Sequence, residues 1–405
     1  MEVIKTSSNI QNVYSDIRGE IYELALKMER EGEKVLKLNT GNPAAFGFKM
    51  PESIKRVVTE NIEASLGYCN VRGMIPARET ICDYHRKRGI EDLSVDNIFI
   101  CNGVSEAAEM LSTVLVGKGD EVLVPTPCYS LWSNSTYLAG GTPVYYNCDE
   151  ENGWNPDVLD IEKKITPATK AILVINPNNP TGAVYSAEVL TKITLLAEKH
   201  NLVVISDEIY DRLIFDNKPF VSTAALNKNV VTVTLNGLSK SHCLCGFRCG
   251  WMAISGPEEK FRDLVRGINT LASMRLCSNA IMQLCIPDAL TDNTYTKEMM
   301  AEGSRLDRQR KAVYSALDKI PEISYVKNDA AFYLFPKINK DLVNISNDKL
   351  FAKKLLEQKH ILVVAGSGFN YTDNYHFRIV MLPEAEILGK ATAEIGDFLK
   401  NNRNI

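Results

Sequence analysis

The chain lacks any apolar run near the roughly 18 residues that a membrane span needs; its longest apolar stretches are like Ala171–Ile175 and Leu202–Ile205. It opens on charged residues, not on an apolar signal segment. It has no basic excess: 46 Lys+Arg stand against 50 Asp+Glu, and clusters such as Arg86-Lys87-Arg88 read as solvated helix faces. No nucleic-acid partner is therefore expected. Ten cysteines in 405 residues are too sparse for a disulfide scaffold and read as the reduced thiols of a cytoplasmic protein. Cys243, Cys245 and Cys249 beside His242 lack the second ligand pair of a zinc site, so no metal is expected. Phosphate-binding glycine motifs are missing too: no G-x-G-x-x-G opens a helix, and there is no G-x4-G-K-[ST]. Neither G-x-S-x-G nor H-E-x-x-H occurs.

What is present is ordinary globular composition, 45% hydrophobic and 24% charged, enough for two or three domains at roughly 100–200 residues each. Short β-branched runs at Asn97–Cys101, Glu121–Val124, Pro143–Asn147, Ala171–Ile175, Leu202–Ser206, Val230–Leu235 and Cys249–Ser255 alternate with helical patterns such as Glu106–Val116 and Ala187–His200. This alternation predicts an α/β domain with a mostly parallel seven-stranded sheet flanked by helices. The ends read as a smaller α+β domain: one helix near Ile17–Glu31, a long charged helix over Thr296–Leu317, strands around Ala331–Phe335 and His376–Val380, and a helix near Asp348–Lys359. Residues 50–290 are expected to form the large domain, with 1–49 and 291–405 forming the small one and its N-terminal arm.

Polar residues cluster where the strands end. Asp207 directly follows a buried strand, at the end where ligands bind in open α/β sheets, and burial requires that its carboxylate be paired or hydrogen-bonded. Tyr210 follows three residues later. The run AILVINPNNPTG carries Asn176, Asn179 and Gly182 into a polar turn. VTLNGLSKSHCLCGFRCGW closes a third strand with Ser239-Lys240, and Arg248 lies eight residues on. A lysine in such a place is expected to be desolvated and its pKa lowered toward a nucleophilic amine. Taken singly, the acid is a cap or turn residue, the Ser-Lys a surface pair and the turn a tight loop. Acid, Asn-Pro turn, lysine and arginine together are what a pyridine aldehyde cofactor needs: a Schiff-base amine, a partner for the ring nitrogen and a phosphate clamp.

The motifs LNTGNP, LGYCNVRG, CNGVSEA, NPNNPTG, SDEIYD, SKSHCLCGFRCGW and FRI closely resemble those of class I, fold-type-I aminotransferases that use pyridoxal 5'-phosphate. The resemblance covers nearly the whole chain and, with LASMRLCSN, is greatest to the bacterial alanine aminotransferase branch. It implies that Lys240 binds the cofactor aldehyde and then shuttles a proton, and that Asp207 keeps the pyridine nitrogen protonated. It implies further that Tyr210 and Asn179 hydrogen-bond the phenolic oxygen and that Ser239 and Arg248 hold the phosphate. Gly103, Val104 and Ser105 open a helix whose backbone amides meet that phosphate. Tyr129 is implied to stack on the ring, and Tyr68 to reach the phosphate of the other subunit in a homodimer. Arg378 is implied to pair with the substrate α-carboxylate, with a Gly41 backbone N–H beside it. The expected substrates are amino acids and 2-oxo acids, exchanged by a ping-pong route, with alanine and 2-oxoglutarate giving pyruvate and glutamate.

Two departures stand out. Many relatives carry a hydroxyl three residues before the lysine where this chain has Gly237, which implies one fewer phosphate hydrogen bond. Ser241-His242-Cys243 replaces the Thr-Tyr-Arg usual after Ser-Lys in the alanine branch. Plainer readings also exist: Arg378 as a surface arginine, Tyr68 or Tyr129 as core aromatics, and Arg275 as either a carboxylate partner or a structural residue. Aspartate or aromatic transamination, and carbon–sulfur bond cleavage on the same scaffold, are the alternative activities. A transcription regulator would need an added N-terminal DNA-binding domain, for which the residues before Gly41 leave no room.

Overall fold

The computed structural model describes residues 4–405. Its centre is an eight-stranded sheet: β1 (Ile98–Asn102), β2 (Glu121–Thr126), β3 (Thr142–Asp149), β4 (Asn155–Pro156), β5 (Thr169–Ile175), β6 (Val203–Asp207), β7 (Thr232–Gly237) and β8 (Cys249–Ser255), in spatial order β1-β8-β7-β6-β5-β2-β3-β4. β7, β6, β5, β2 and β3 run parallel, while β8 is antiparallel to both of its neighbours. The seven expected strands are all present. The eighth is the two-residue edge strand β4, too short to leave a periodic signal. β5 and β7 are buried along almost their whole length, which is why they read as apolar runs.

The helix over Ala187–His200 begins where Ser186 accepts a hydrogen bond from Val189 N, and ends at Asn201 in the left-handed conformation. The long helix expected over Thr296–Leu317 is instead two, Thr294–Met300 and Arg305–Leu317. Gly303, at φ +72°, breaks it, and Ser304 restarts it by capping Asp307 N. The first helix spans Glu20–Arg30, after a separate 3-10 turn at Asp16–Arg18. The helix expected from Glu106 already starts at Val104, capped by Gly103. Before Pro51 the chain makes a 3-10 turn at Pro43–Phe46. The strand expected over Ala331–Phe335 shrinks to Tyr333–Leu334, because Ala331 takes a left-handed φ of +59°.

One core joins the two ends of the chain: Leu38 packs with Val313, Leu355, Phe377 and Ile395, and Leu36 pairs in parallel with Ile361. A separate core lies on one face of the large sheet, from Phe99 and Leu111 to Leu235 and Ile268. The two bodies meet over a cavity at the carboxyl ends of β5, β6 and β7.

Candidate active site

Three strand ends build the cavity, of about 660 Å³. β6 delivers Asp207, which is buried. Its Oδ2 accepts from Trp132 Nε1 at 3.0 Å, and Oδ1 accepts from Ile209 N at 3.3 Å. Burial pushes its pKa up to about 6, while these donors and Lys240 pull the other way. The requirement that a buried acid be hydrogen-bonded is thus met, by an indole the sequence did not single out.

β7 leads to Ser239 and Lys240, both on the cavity wall. Lys240 Nζ donates to Gly41 O at 2.8 Å and lies 3.8 Å from Cys245 Sγ. Burial drives this amine's pKa down, but the acidic groups around it, Tyr333, Cys245 and Tyr129, outweigh burial and the net direction is upward. The expected lowering is therefore corrected: the lysine sits among hydroxyls and a thiol, not against a purely apolar wall.

β5 runs into the Asn176–Gly182 turn, which is knitted internally. Asn176 Oδ1 accepts from Tyr185 N, and Asn178 Oδ1 from Thr181 Oγ1 at 2.9 Å. It presents Asn179, whose Oδ1 accepts from Arg378 Nη1 at 2.9 Å. Arg378 is 1% exposed, not a surface residue. It also donates to Asn39 O, and its guanidinium lies over the rings of Tyr333 and Phe369, at 4.5 and 4.7 Å from their centroids. Its Nε is buried without a partner among the described residues, and burial lowers its pKa from the ordinary value.

Gly103, at φ +83°, opens the helix over Val104–Leu115, and Val104 and Ser105 line the cavity. A Cβ at Gly103 would collide with the Arg248 guanidinium, so the bare backbone here lets that cation lie across the helix start. Arg248 donates to Cys245 O at 2.9 Å and Asn102 O at 3.4 Å. Tyr129 is 36% exposed and faces the same space, so it is no core aromatic. Tyr210 is buried, its hydroxyl 2.9 Å from that of Tyr333, and burial raises its pKa. Gly41 contributes its carbonyl, to Lys240.

Tyr68 lies outside this cavity. At 82% exposure it is not a core aromatic either. Arg275 stands apart as well: it donates to Ile100 O at 2.8 Å and pairs with Glu106 at 3.4 Å, a structural use. Gly237 has a packing reason. It faces Gly250 across β7 and β8, and a Cβ there would lie 2.5 Å from Cys249 O. His242 is buried, with Nδ1 2.9 Å from Ser241 Oγ and its ring stacked on Tyr295.

Sequence reasoning missed Trp132, Tyr333, Cys245 and the segment holding Ser15, Ile17 and Arg18, all at the cavity or its acid. The 3-10 turn at Asp16–Arg18 had no local signal, and nothing in the sequence sets either aromatic apart from a core residue.

A buried acid, an amine, a guanidinium and a helix start at Val104 and Ser105 beside Arg248, in one cavity, suit an anionic, nitrogen-containing ring and a carboxylate. The comparisons agree. The family model for aminotransferase class I and II matches residues 33–391. The glutamate-pyruvate aminotransferase AlaA of Haemophilus influenzae is 43% identical over all of both chains. The alanine aminotransferase of Mycobacterium tuberculosis is 42% identical over 98% of this chain and 93% of its own. An aminotransferase crystal structure from Escherichia coli superposes with a TM-score of 0.98 at 42% identity, covering both chains fully, and the Pyrococcus furiosus alanine aminotransferase with 0.93 at 37%, covering 98% and 100%. Among the described residues no helix is long and apolar enough to cross a membrane. The chain belongs to the class I and II aminotransferases.

Proposed function

We propose that the protein is a pyridoxal-phosphate-dependent alanine aminotransferase, a cytoplasmic homodimer that converts alanine and 2-oxoglutarate to pyruvate and glutamate by alternate half-reactions. The single observation that carries this reading is the meeting of Lys240, Asp207 and Arg378 in one cavity. Full-length similarity to proteins named for alanine supports the substrate. The separate end-to-end core supports a small domain of residues 1–49 and 291–405 beside a large domain of 50–290.

The residues fit the cofactor. Arg248, Ser239, Ser105 and the Val104 amide would hold its phosphate at the helix start. Asp207 would hold a proton on the ring nitrogen, Tyr210 and Asn179 would face the phenolic oxygen, and Tyr129 would cover the ring. Tyr68 would reach the phosphate in the partner subunit. When bound, the cofactor supplies a carbonyl for the amino group and an electron-accepting ring that makes the substrate's Cα proton acidic. Arg378 fixes the α-carboxylate common to both substrates, beside Gly41 and Asn179. Lys240 takes the proton from Cα and returns it.

A steady-state panel of amino donors against pyruvate and 2-oxoglutarate tests the reading. Alanine and glutamate are expected to lead; much faster transfer from aspartate or an aromatic amino acid sinks the substrate assignment. Ammonia and pyruvate released from a cysteine-like substrate without any oxo acid would make it a lyase. Lys240→Ala is expected to lose the visible cofactor absorbance and nearly all turnover.

A further inference from the structure

We infer that Tyr333 is a positioning residue of this site, a single phenol that sets both Tyr210 and Arg378; the inference rests on the aminotransferase reading above. Its hydroxyl lies 2.9 Å from Tyr210 Oη, and among the described residues neither hydroxyl has another hydrogen-bond partner. Its ring lies under the Arg378 guanidinium. Its hydroxyl also fills the space beside Gly41, where a Cβ would collide with it, next to the carbonyl that accepts from Lys240.

The backbone carrying this phenol is held from both bodies. Tyr333 pairs with Val380 on the strand that bears Arg378. Two residues earlier, Ala331 N donates to Leu213 O, just past Tyr210, at 2.8 Å. Movement of one body against the other therefore reaches Tyr333 directly.

A phenol has one proton to give. With Tyr333 donating to Tyr210 Oη, the proton of Tyr210 is free to point outward, toward the cofactor's phenolic oxygen, and the chained bonds polarise one another. A stronger donor at that oxygen would stabilise its negative charge, so that Lys240 Nζ, when joined to the cofactor aldehyde, would lose its proton at lower pH. The ring has a separate task. Arg378 is held by Asn179, by Asn39 O and by aromatic faces, with no carboxylate partner among the described residues, so removing the face beneath it frees the guanidinium to tilt.

The two tasks separate in two variants of the holoenzyme, each read by a pH titration of the visible cofactor absorbance and by kcat and KM for alanine. Tyr333→Phe is expected to move the titration midpoint upward and lower kcat about fivefold, with KM within about twofold of the parent. Tyr333→Leu is expected to add a rise in KM of about tenfold, because the carboxylate anchor is then misplaced. A Tyr333→Phe protein with the parent's midpoint and kcat overturns the hydroxyl's role, and a Tyr333→Leu protein with the parent's KM overturns the ring's. A parent without visible absorbance would overturn the cofactor reading and this inference with it, whereas parent-like variants of a parent that absorbs normally overturn this inference alone.

Discussion

Trp132 Nε1 donates to Asp207 Oδ2 at 3.0 Å, and an indole can only donate. The contact therefore favours the carboxylate over the acid in a place where burial pushes the pKa up to about 6. Asp207→Asn is expected to retain the fold but lose about 10²–10³ in kcat, since it removes a charge aimed at the reacting system. Trp132→Phe is expected to lose about tenfold or less, with the acidic limb of the kcat/KM profile displaced to higher pH. An unshifted limb with full activity would remove Trp132 from the account.

Arg378→Lys tests the carboxylate anchor. A lysine keeps the charge but not the two-pronged fork. KM for alanine and for 2-oxoglutarate is expected to rise together, about tenfold to a hundredfold, as expected from losing a charge-assisted bidentate pair. A change confined to one substrate would point to a side-chain pocket instead.

Two residues from Arg378, His376 sits between Asp373 (2.7 Å) and Glu150 (3.3 Å), stacked on Phe335. Burial lowers its pKa, but the two carboxylates outweigh burial and raise it above the usual imidazole value, while Glu150 and Asp373 are held below theirs. A raised histidine pKa gives stability that is complete below about 6.5 and is lost as pH rises through the folded value. The depressed carboxylates act oppositely, losing theirs as pH falls below about 4. Chemical unfolding from pH 4 to 9 is therefore expected to place the maximum for this cluster between those limits. In His376→Gln the decline on the alkaline side should vanish; a decline of unchanged size assigns it to other groups.

Gly237→Ser restores the hydroxyl that many relatives carry. Its Cβ would meet Cys249 O at 2.5 Å and Gly250 Cα at 3.0 Å, backbone that cannot yield without parting two strands. The expected result is a destabilisation of about 1–3 kcal/mol from overpacking, without tighter cofactor binding. A stable variant with higher cofactor affinity would show that β8 has room to move.

The parallel strands were legible because they are buried on both faces, and Asp207, Asn179 and Lys240 because polar residues directly after such strands have few other reasons to be there. Tyr333 and Trp132 were not, since an aromatic within AAFYLFP or CYSLW looks the same whether it fills a core or hydrogen-bonds across a site. Arg18 reaches the cavity from a 3-10 turn that no periodicity announces. The helix break at Gly303-Ser304 did have a signal, a glycine followed by a capping serine, but the charged pattern on either side ran through it. The direction of the Lys240 pKa depends on two hydroxyls and a thiol, Tyr129, Tyr333 and Cys245, brought from three separate segments, which no single stretch of sequence displays.

The parallel pairing of Leu36 with Ile361 has a consequence for how the chain matures on the ribosome. The early segment waits for a partner that is translated near the end, and such a distant contact closes slowly. Arg378 is translated later still. A nascent chain that has completed its large sheet therefore already holds Lys240 and Asp207 but not the arginine that seats the substrate, so transamination begins only when the last tenth of the chain has been made and has closed over the first.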